Sequence, residues 1–239
     1  MYYQDIDYDN NGTYDYRGVY FTQYRPYNST ISSKEGNSYQ DNNGYSTNTI
    51  YWFSYDLIEW DILSESNGKA LIIANLILDS QDYYPSSSTS SFSHNGGTGY
   101  ANNYELSNIR KWLKDNFYNT AFNDLQKSLI ETTLVDNSLA STGQSSNDYV
   151  CNNTNDKIFL LSYKEATSTT TRLAIGTDYA KCQGLYVYKS SGDSAWLLRS
   201  PDYKNVNYSY LVIDNGDVKN LHSVYSTFRG IRPACYIIL

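Results

Sequence analysis

A chain of 239 residues is enough for one large domain or two small ones, and 18 basic against 25 acidic side chains leave it at −7. That balance argues against a nucleic-acid binder, because neutralising phosphates needs a clustered basic face that this chain does not show. The longest apolar runs, such as Ala70–Leu78, fall far short of the roughly 20 residues that cross a bilayer, and the start shows no basic stretch leading into an apolar one, so no signal peptide is expected. Tyr is the unusual component, at 27 residues. Its ring buries area while its hydroxyl stays hydrated or bonded, so a mean hydropathy of −0.58 does not signal disorder, which shows few aromatics. Tyr mixed with Ser, Asn and Gly is also the composition of antibody-like contact surfaces.

In chain order, Arg17–Arg25 carries the β-branched and aromatic bias of a strand, and Tyr27–Thr47 reads as a surface loop. Ile50–Phe53 and Leu57–Leu63 alternate as two short strands, Asn67-Gly68 marks a turn, and Lys69–Ala74 follows as a strongly apolar strand, which together predict an antiparallel meander. Ser86–Thr98 reads as a flexible loop. Ile109, Trp112, Leu113 and Phe117 fall at helical spacing behind a Ser107 or Asn108 cap. A second helix starts at Asn123 with Gln126 closing a capping box, and Leu125, Leu129 and Ile130 form its expected core face. Asp136–Thr154 is polar loop, Lys157–Ser162 a buried strand, Tyr163–Ala166 a helical turn, and Trp196–Leu198 a strand that Pro201 ends. Asp214-Asn215-Gly216-Asp217 joins Tyr208–Ile213 to Val218–Val224 as a hairpin. The apolar tail Ile231–Leu239 must be tied into a sheet, beside the early Trp52–Leu63 strands. The expected class is α+β, with a mixed, mainly antiparallel sheet, two main helices, long loops and the N- and C-terminal strands meeting in one sheet.

Cys151, Cys182 and Cys235 lie far apart, and with only His94 and His222 beside them no zinc-ligand spacing exists. The count is equally consistent with one disulfide plus a thiol or with three thiols. Asp7-x-Asp9-x-Asn11-Gly12 matches the first half of a calcium loop. The acid expected at the twelfth position is replaced by Gly18, with Asp15 as a substitute, and a solvated Asx-rich turn is the alternative. No other cofactor is expected.

The tail reads Trp196-Leu197-Leu198-Arg199-Ser200-Pro201, then Asp214-Asn215-Gly216-Asp217-Val218, then Gly230-Ile231-Arg232-Pro233-Ala234. It resembles a bacterial domain family of C-type-lectin fold and unassigned function, whose members read roughly Trp-Trp-Leu-Arg-Ser-Pro, Asp-Gly-x-Val and Gly-Val-Arg-Pro-Ala-Leu at these places. Gly68–Leu71, Ile109–Leu113, Phe117–Phe122, Asp156–Ser162 and Asp178–Lys181 extend the likeness over about residues 50–239. The resemblance implies a single C-type-lectin-like domain over 1–239, with 1–48 as an extension packed on it. It also implies kinship with the variable proteins of diversity-generating retroelements and, more distantly, with formylglycine-generating enzymes.

In such variable proteins a fixed frame displays a diversified C-terminal surface that binds protein or glycan ligands. Here that surface comprises Tyr203, Lys204, Asn205, Asn207, Tyr210, Leu211, Ile213, Asp217, Lys219, Asn220, Leu221, His222, Tyr225 and Phe228, with Ser209 and Val212 as scaffold. Lys204 and Lys219 depart from the pattern, since an Asn codon changed only at its adenines cannot encode Lys. The expected role is ligand binding without catalysis, on a cell surface, in a secreted protein or on a phage tail. A structural or adhesin module of a larger surface protein is the alternative. A sulfatase-modifying enzyme rests on fold analogy alone, and its close cysteine pair is missing. Arg199 and Arg232, next to Pro201 and Pro233, are expected to orient loops through backbone and carboxylate bonds. Cys235 is expected to act as a small buried hydrophobe.

Overall fold

Three strands open the chain, β1 (Tyr2–Ile6), β2 (Tyr16–Tyr20) and β3 (Ile50–Ser54), forming an antiparallel sheet with β2 in the centre. The computed structural model describes residues 1–28, 39–84 and 90–239, with the backbone alone at Leu221 and His222. Cross-strand partners share a face. The rows Tyr2–Tyr20–Ile50, Gln4–Gly18–Trp52 and Ile6–Tyr16–Ser54 therefore lie on one side, and Tyr3–Val19–Tyr51 and Asp5–Arg17–Phe53 on the other. The second side faces inward: Val19 and, just past β2, Phe21 are buried with Cys182, and Arg17 pairs with Asp5 at 2.7 Å.

This first sheet is a layer of its own, not part of a sheet shared with the C-terminal strand. It is fastened by side chains that reach across. Tyr3 donates its hydroxyl to Gln183 Oε1 at 3.0 Å, and Arg25 donates to the carbonyls of Ser80 and Gln183. The short helix α1 (Tyr39–Asn42) contributes Gln40, fully buried, whose Nε2 donates to the Cys182 carbonyl at 2.7 Å.

The Asn67-Gly68 turn has positive φ at both residues, 52° and 72°, the geometry that matches strand twist in a hairpin. It joins β4 (Trp60–Ser66) to β5 (Lys69–Ala74). Residues 55–59 are irregular between β3 and β4, so Leu57 falls outside any strand and is 89% exposed. The short β6 (Asp79–Ser80) follows. Most of the expected loop 86–98 is a hairpin, β7 (Ser91–His94) and β8 (Gly97–Tyr100), closed by Asn95-Gly96 at φ 47° and 79°, while 85–89 lie outside the described residues.

Ser107 caps α2 (Asn108–Trp112), which continues through one π turn at Leu113–Phe117 into α3 (Tyr118–Ala121). Ile109, Leu113 and Phe117 are buried, and Trp112 stacks on Phe117. The capping box of α4 (Asp124–Leu129) forms as read. Its core face does not. Leu125 and Leu129 are 73% and 47% exposed, and only Ile130, just past the helix, turns inward to bridge Ile237. A helix of six residues is too short to lay a stripe on the core.

The segment 136–154 holds α5 (Leu139–Thr142) and runs between β9 (Thr133–Val135) and β10 (Thr154–Asp156), which pair. Lys157–Ser162 is buried over most of its length but forms no ladder; Phe159 bridges Ala234, and the Leu161 carbonyl accepts the Arg199 N–H at 2.9 Å. Ser162 then caps α6 (Tyr163–Ser168), and α7 (Asp178–Cys182) follows. The last strands are β11 (Trp196–Pro201), β12 (Tyr208–Val212), β13 (Val218–Ser223), β14 (Gly230–Ile231) and β15 (Ala234–Ile238). Four of them join β6 in a five-stranded sheet in the order β13-β12-β11-β14-β6, and β15 lies beside β5, one strand further on than the expected Trp52–Leu63. The whole is a mixed α+β fold of mainly antiparallel sheets. Among the described residues no helix is long and apolar enough to cross a membrane.

Trp196, Leu197, Leu198, Ile73, Ile77 and Leu113 anchor one core, each such side chain contributing on the order of 1.5–3 kcal/mol. Two buried arginines cross it as staples. Arg199 is 2% exposed and holds Glu165 at 2.6 Å and the carbonyls of Leu160 and Asp136. Burial pushes Glu165 up, but the Arg199 charge and bonds outweigh it and hold the carboxyl below its usual range. Arg232, 1% exposed, binds Asp61 at 2.9 Å and the carbonyls of Ala74 and Thr171, and lies over the Trp196 ring. Burial lowers its pKa to about 10 against the opposing pull of Asp61. Both arginines do what their place beside the prolines implies, and Cys235 is fully buried on β15.

Candidate functional site

Residues 202–208 leave β11 and return as β12, and a buried amide sets their shape. Asn102, with no exposed surface, points Nδ2 at the carbonyls of Asp202, Asn205 and Tyr208 at 3.3, 3.2 and 3.0 Å. Asn147 holds the Pro201 carbonyl at 3.0 Å. Inside the loop, Asp202 accepts from the Lys204 N–H at 3.1 Å and from Asn220 Nδ2 at 3.0 Å, which ties the loop to β13. Asn205 accepts the Asn207 N–H at 2.9 Å, and Asn207 accepts the Tyr225 hydroxyl at 3.0 Å. Buried amides with directional partners fix a single loop conformation.

Around this frame stand the partly exposed Tyr203, Asn205, Asn207, Asn220 and Tyr225, with Lys204 fully outside, its ammonium 5.0 Å from the Tyr203 ring centre. Ser209 and Val212 are buried as expected of scaffold. Asp217 and Lys219 pair at 3.2 Å at the exposed hairpin tip, next to the half-buried Ile213. Leu221 and His222 lie on β13, where His222 pairs with Ser209.

Two of the expected contact residues are core residues. Tyr210 and Leu211 are 4% and 1% exposed. β12 is covered on both faces and carries a bulge between Ser209 and Leu211, so the alternation that would turn every second residue outward is lost. Tyr210 packs edge-on against Tyr163 of α6 and accepts from Gln144 Nε2 at 2.9 Å; burial and the Asp202 charge push its pKa up to about 12. Phe228 belongs to a different group of rings, with Tyr27, Tyr39 and Tyr186 at centroid distances of 6.0, 4.9 and 6.5 Å.

Sequence reasoning missed Asn102 and Asn147, whose importance lies in three-dimensional partners 54 to 106 positions away. It also missed Tyr84, stacked on Phe92, and Tyr100, set edge-on to Tyr149. The Tyr83 and Tyr84 amides bond the Val224 carbonyl, placing that stacked pair next to Tyr225.

The acidic loop at the other end of the chain folds as a turn. Asp7, Asp9 and Asp15 each bring an oxygen within 4.8 Å of the others, which is the charge and donor chemistry of a hard cation. Asp7 accepts from the Asn11 and Gly12 amides at 3.0 and 2.8 Å, and Asp15 from Tyr8 at 2.6 Å. Asn11 spends its side-chain oxygen on Thr13. These bonds also close an Asx-rich turn by themselves.

The Ser200 hydroxyl accepts the Tyr163 N–H at 2.9 Å inside a buried strand. All three cysteines are free thiols. Burial raises Cys151 to about 11 and Cys182 and Cys235 to about 12, so they stay protonated and weakly nucleophilic at neutral pH.

No curated protein and no solved structure matches the chain significantly. A family model does match, over residues 67–239. That span takes in the buried arginines, the Asn102 frame and the whole display loop, and leaves the first sheet outside. The chain therefore belongs to the family described as Domain of unknown function (DUF6273).

Proposed function

We propose that the chain is a ligand-binding module of C-type-lectin type, a variable protein that recognises a protein or glycan through the face built on residues 203–225. One observation carries this reading: tyrosine and amide side chains stand partly exposed on a loop whose backbone is pinned by the buried Asn102. Rigid aromatic area and adaptable amides on an immobile frame lower the ordering cost of binding. Tyr203, Lys204, Asn205, Asn207, Asn220 and Tyr225 are the contact residues, with Tyr84, Phe92, Tyr100 and Tyr149 at the border. Tyr210 and Leu211 belong to the frame.

The test is a screen of the purified chain against a glycan array and a displayed-peptide library, repeated with Tyr203→Ala/Asn205→Ala/Tyr225→Ala. Ligands retained by the triple variant, with Tm unchanged, would sink the proposal. Diversification has its own readout in isolates sequenced over codons 202–228: adenine-confined changes at 203, 205, 207, 220 and 225, with 210 and 211 constant.

A further inference from the structure

The first sheet, outside the family match, has an outward face that the display loop does not use. Trp52 and Tyr16 are 47% and 43% exposed there, and Tyr2 and Ile50 more so. None of the nine residues in the three outward rows carries a charge, while Asp5 and Arg17 of the same strands pair on the inner face. Gly18 sits under Trp52: a Cβ at that position would stand 2.7 Å from the indole. The missing side chain lets the ring lie across the neighbouring strand with its other side open to solvent.

We propose that this face binds a short stretch of neutral oligosaccharide, with the Trp52 indole as its stacking platform. The C–H groups on one side of a pyranose ring carry partial positive charge and meet the negative face of an aromatic ring. Gln4, exposed in the same row as Trp52, supplies an amide for sugar hydroxyls, as few and well-placed polar groups do in ligand sites. Size selects this occupant over a protein. Three strands about 4.8 Å apart and five residues at about 3.4 Å each give a footprint on the order of 200 Å², against about 800 Å² per partner in a stable protein interface. Two or three sugar rings cover it. The absence of charge selects a neutral glycan over an acidic one.

The experiment uses the full chain in native gels containing a β-glucan, a mannan, a xylan or soluble starch, followed by tryptophan-fluorescence titration with hexasaccharides of the retarding polymer. The expected result is retardation by at least one polymer, weakened tenfold or more by Trp52→Ala, partly restored by Trp52→Phe and unchanged by Tyr203→Ala/Tyr225→Ala. Tyr16→Ala and Gln4→Ala, which remove no core contact, give the same reading if Trp52→Ala lowers stability. The proposal is overturned by no retardation in any gel, by binding that survives both Trp52→Ala and Tyr16→Ala, or by loss through the Tyr203/Tyr225 variant. Concentration-dependent dimerisation abolished by Trp52→Ala also overturns it, because the face then serves a second copy.

Discussion

β2 and β12 are both short, tyrosine-bearing strands, and they spend their rings in opposite ways. β2 lies in a sheet covered on one side only, so Val19 is buried while Tyr16 stays 43% exposed. β12 lies between α6 and the main core, and Ser209, Tyr210, Leu211 and Val212 are all buried. The same residue is a surface ring in one sheet and a core ring in the other. What differs is the number of faces covered, which is a property of the layers and not of the strand.

The comparison breaks first at what fixes the layers. Arg199→Ala or Arg232→Ala should each cost about 3–5 kcal/mol, since either leaves a carboxylate and several buried carbonyls without their donor. The measurement is the urea midpoint, and a loss under about 1 kcal/mol would mean the staples are not what holds the layers of the main core together. Next, Tyr210→Ala should cost about 3 kcal/mol as a buried aromatic truncation, whereas Tyr16→Ala should cost under about 1 kcal/mol. Equal thermal shifts for the two would erase the distinction.

A further effect, dependent on pH, sits where the two regions meet. Asp79, 4% exposed on β6, is raised to about 6, chiefly by burial, with the Ser80 amide, Arg25 and Gln81 pulling the other way; its charge reaches Tyr3 and Tyr179 at the base of the first sheet. A carboxyl whose folded pKa exceeds its unfolded value binds its proton more tightly when folded. It therefore favours the folded state at low pH, and that advantage is lost as pH rises from about 4 through about 6. Asp79→Asn should remove this component, leaving the variant on the order of 1–3 kcal/mol more stable than the parent at pH 7 and level with it near pH 4. Denaturation curves at the two pH values check it. Asp5 and Glu165, held low by Arg17 and Arg199, give both proteins the opposite, acid-side loss.

Local chemistry was legible wherever partners are close in sequence. Ser107, Asn123 with Gln126, and Asn67-Gly68 form the caps and the turn their spacing implies, because each bond closes within a few residues. The arginine staples could be read from their neighbours, although not which carboxylate each would meet. The display loop was legible as a region and misread at Tyr210 and Leu211, since a tyrosine satisfies either a core or a surface. Leu125 and Leu129 went wrong the other way, as apolar residues on a helix with nothing to pack against.

The sequence by itself determined the caps at Ser107 and Asn123 and the Asn67-Gly68 turn, and that a tail with apolar strands closes the fold, because these depend on dihedral preference and short-range hydrogen bonds. Only the tertiary structure decided which rings face solvent, that Asn102 commands a loop a hundred positions away, and that Gly18 lies beneath Trp52. Burial is set by what lands on the second face of a strand, and that neighbour comes from elsewhere in the chain.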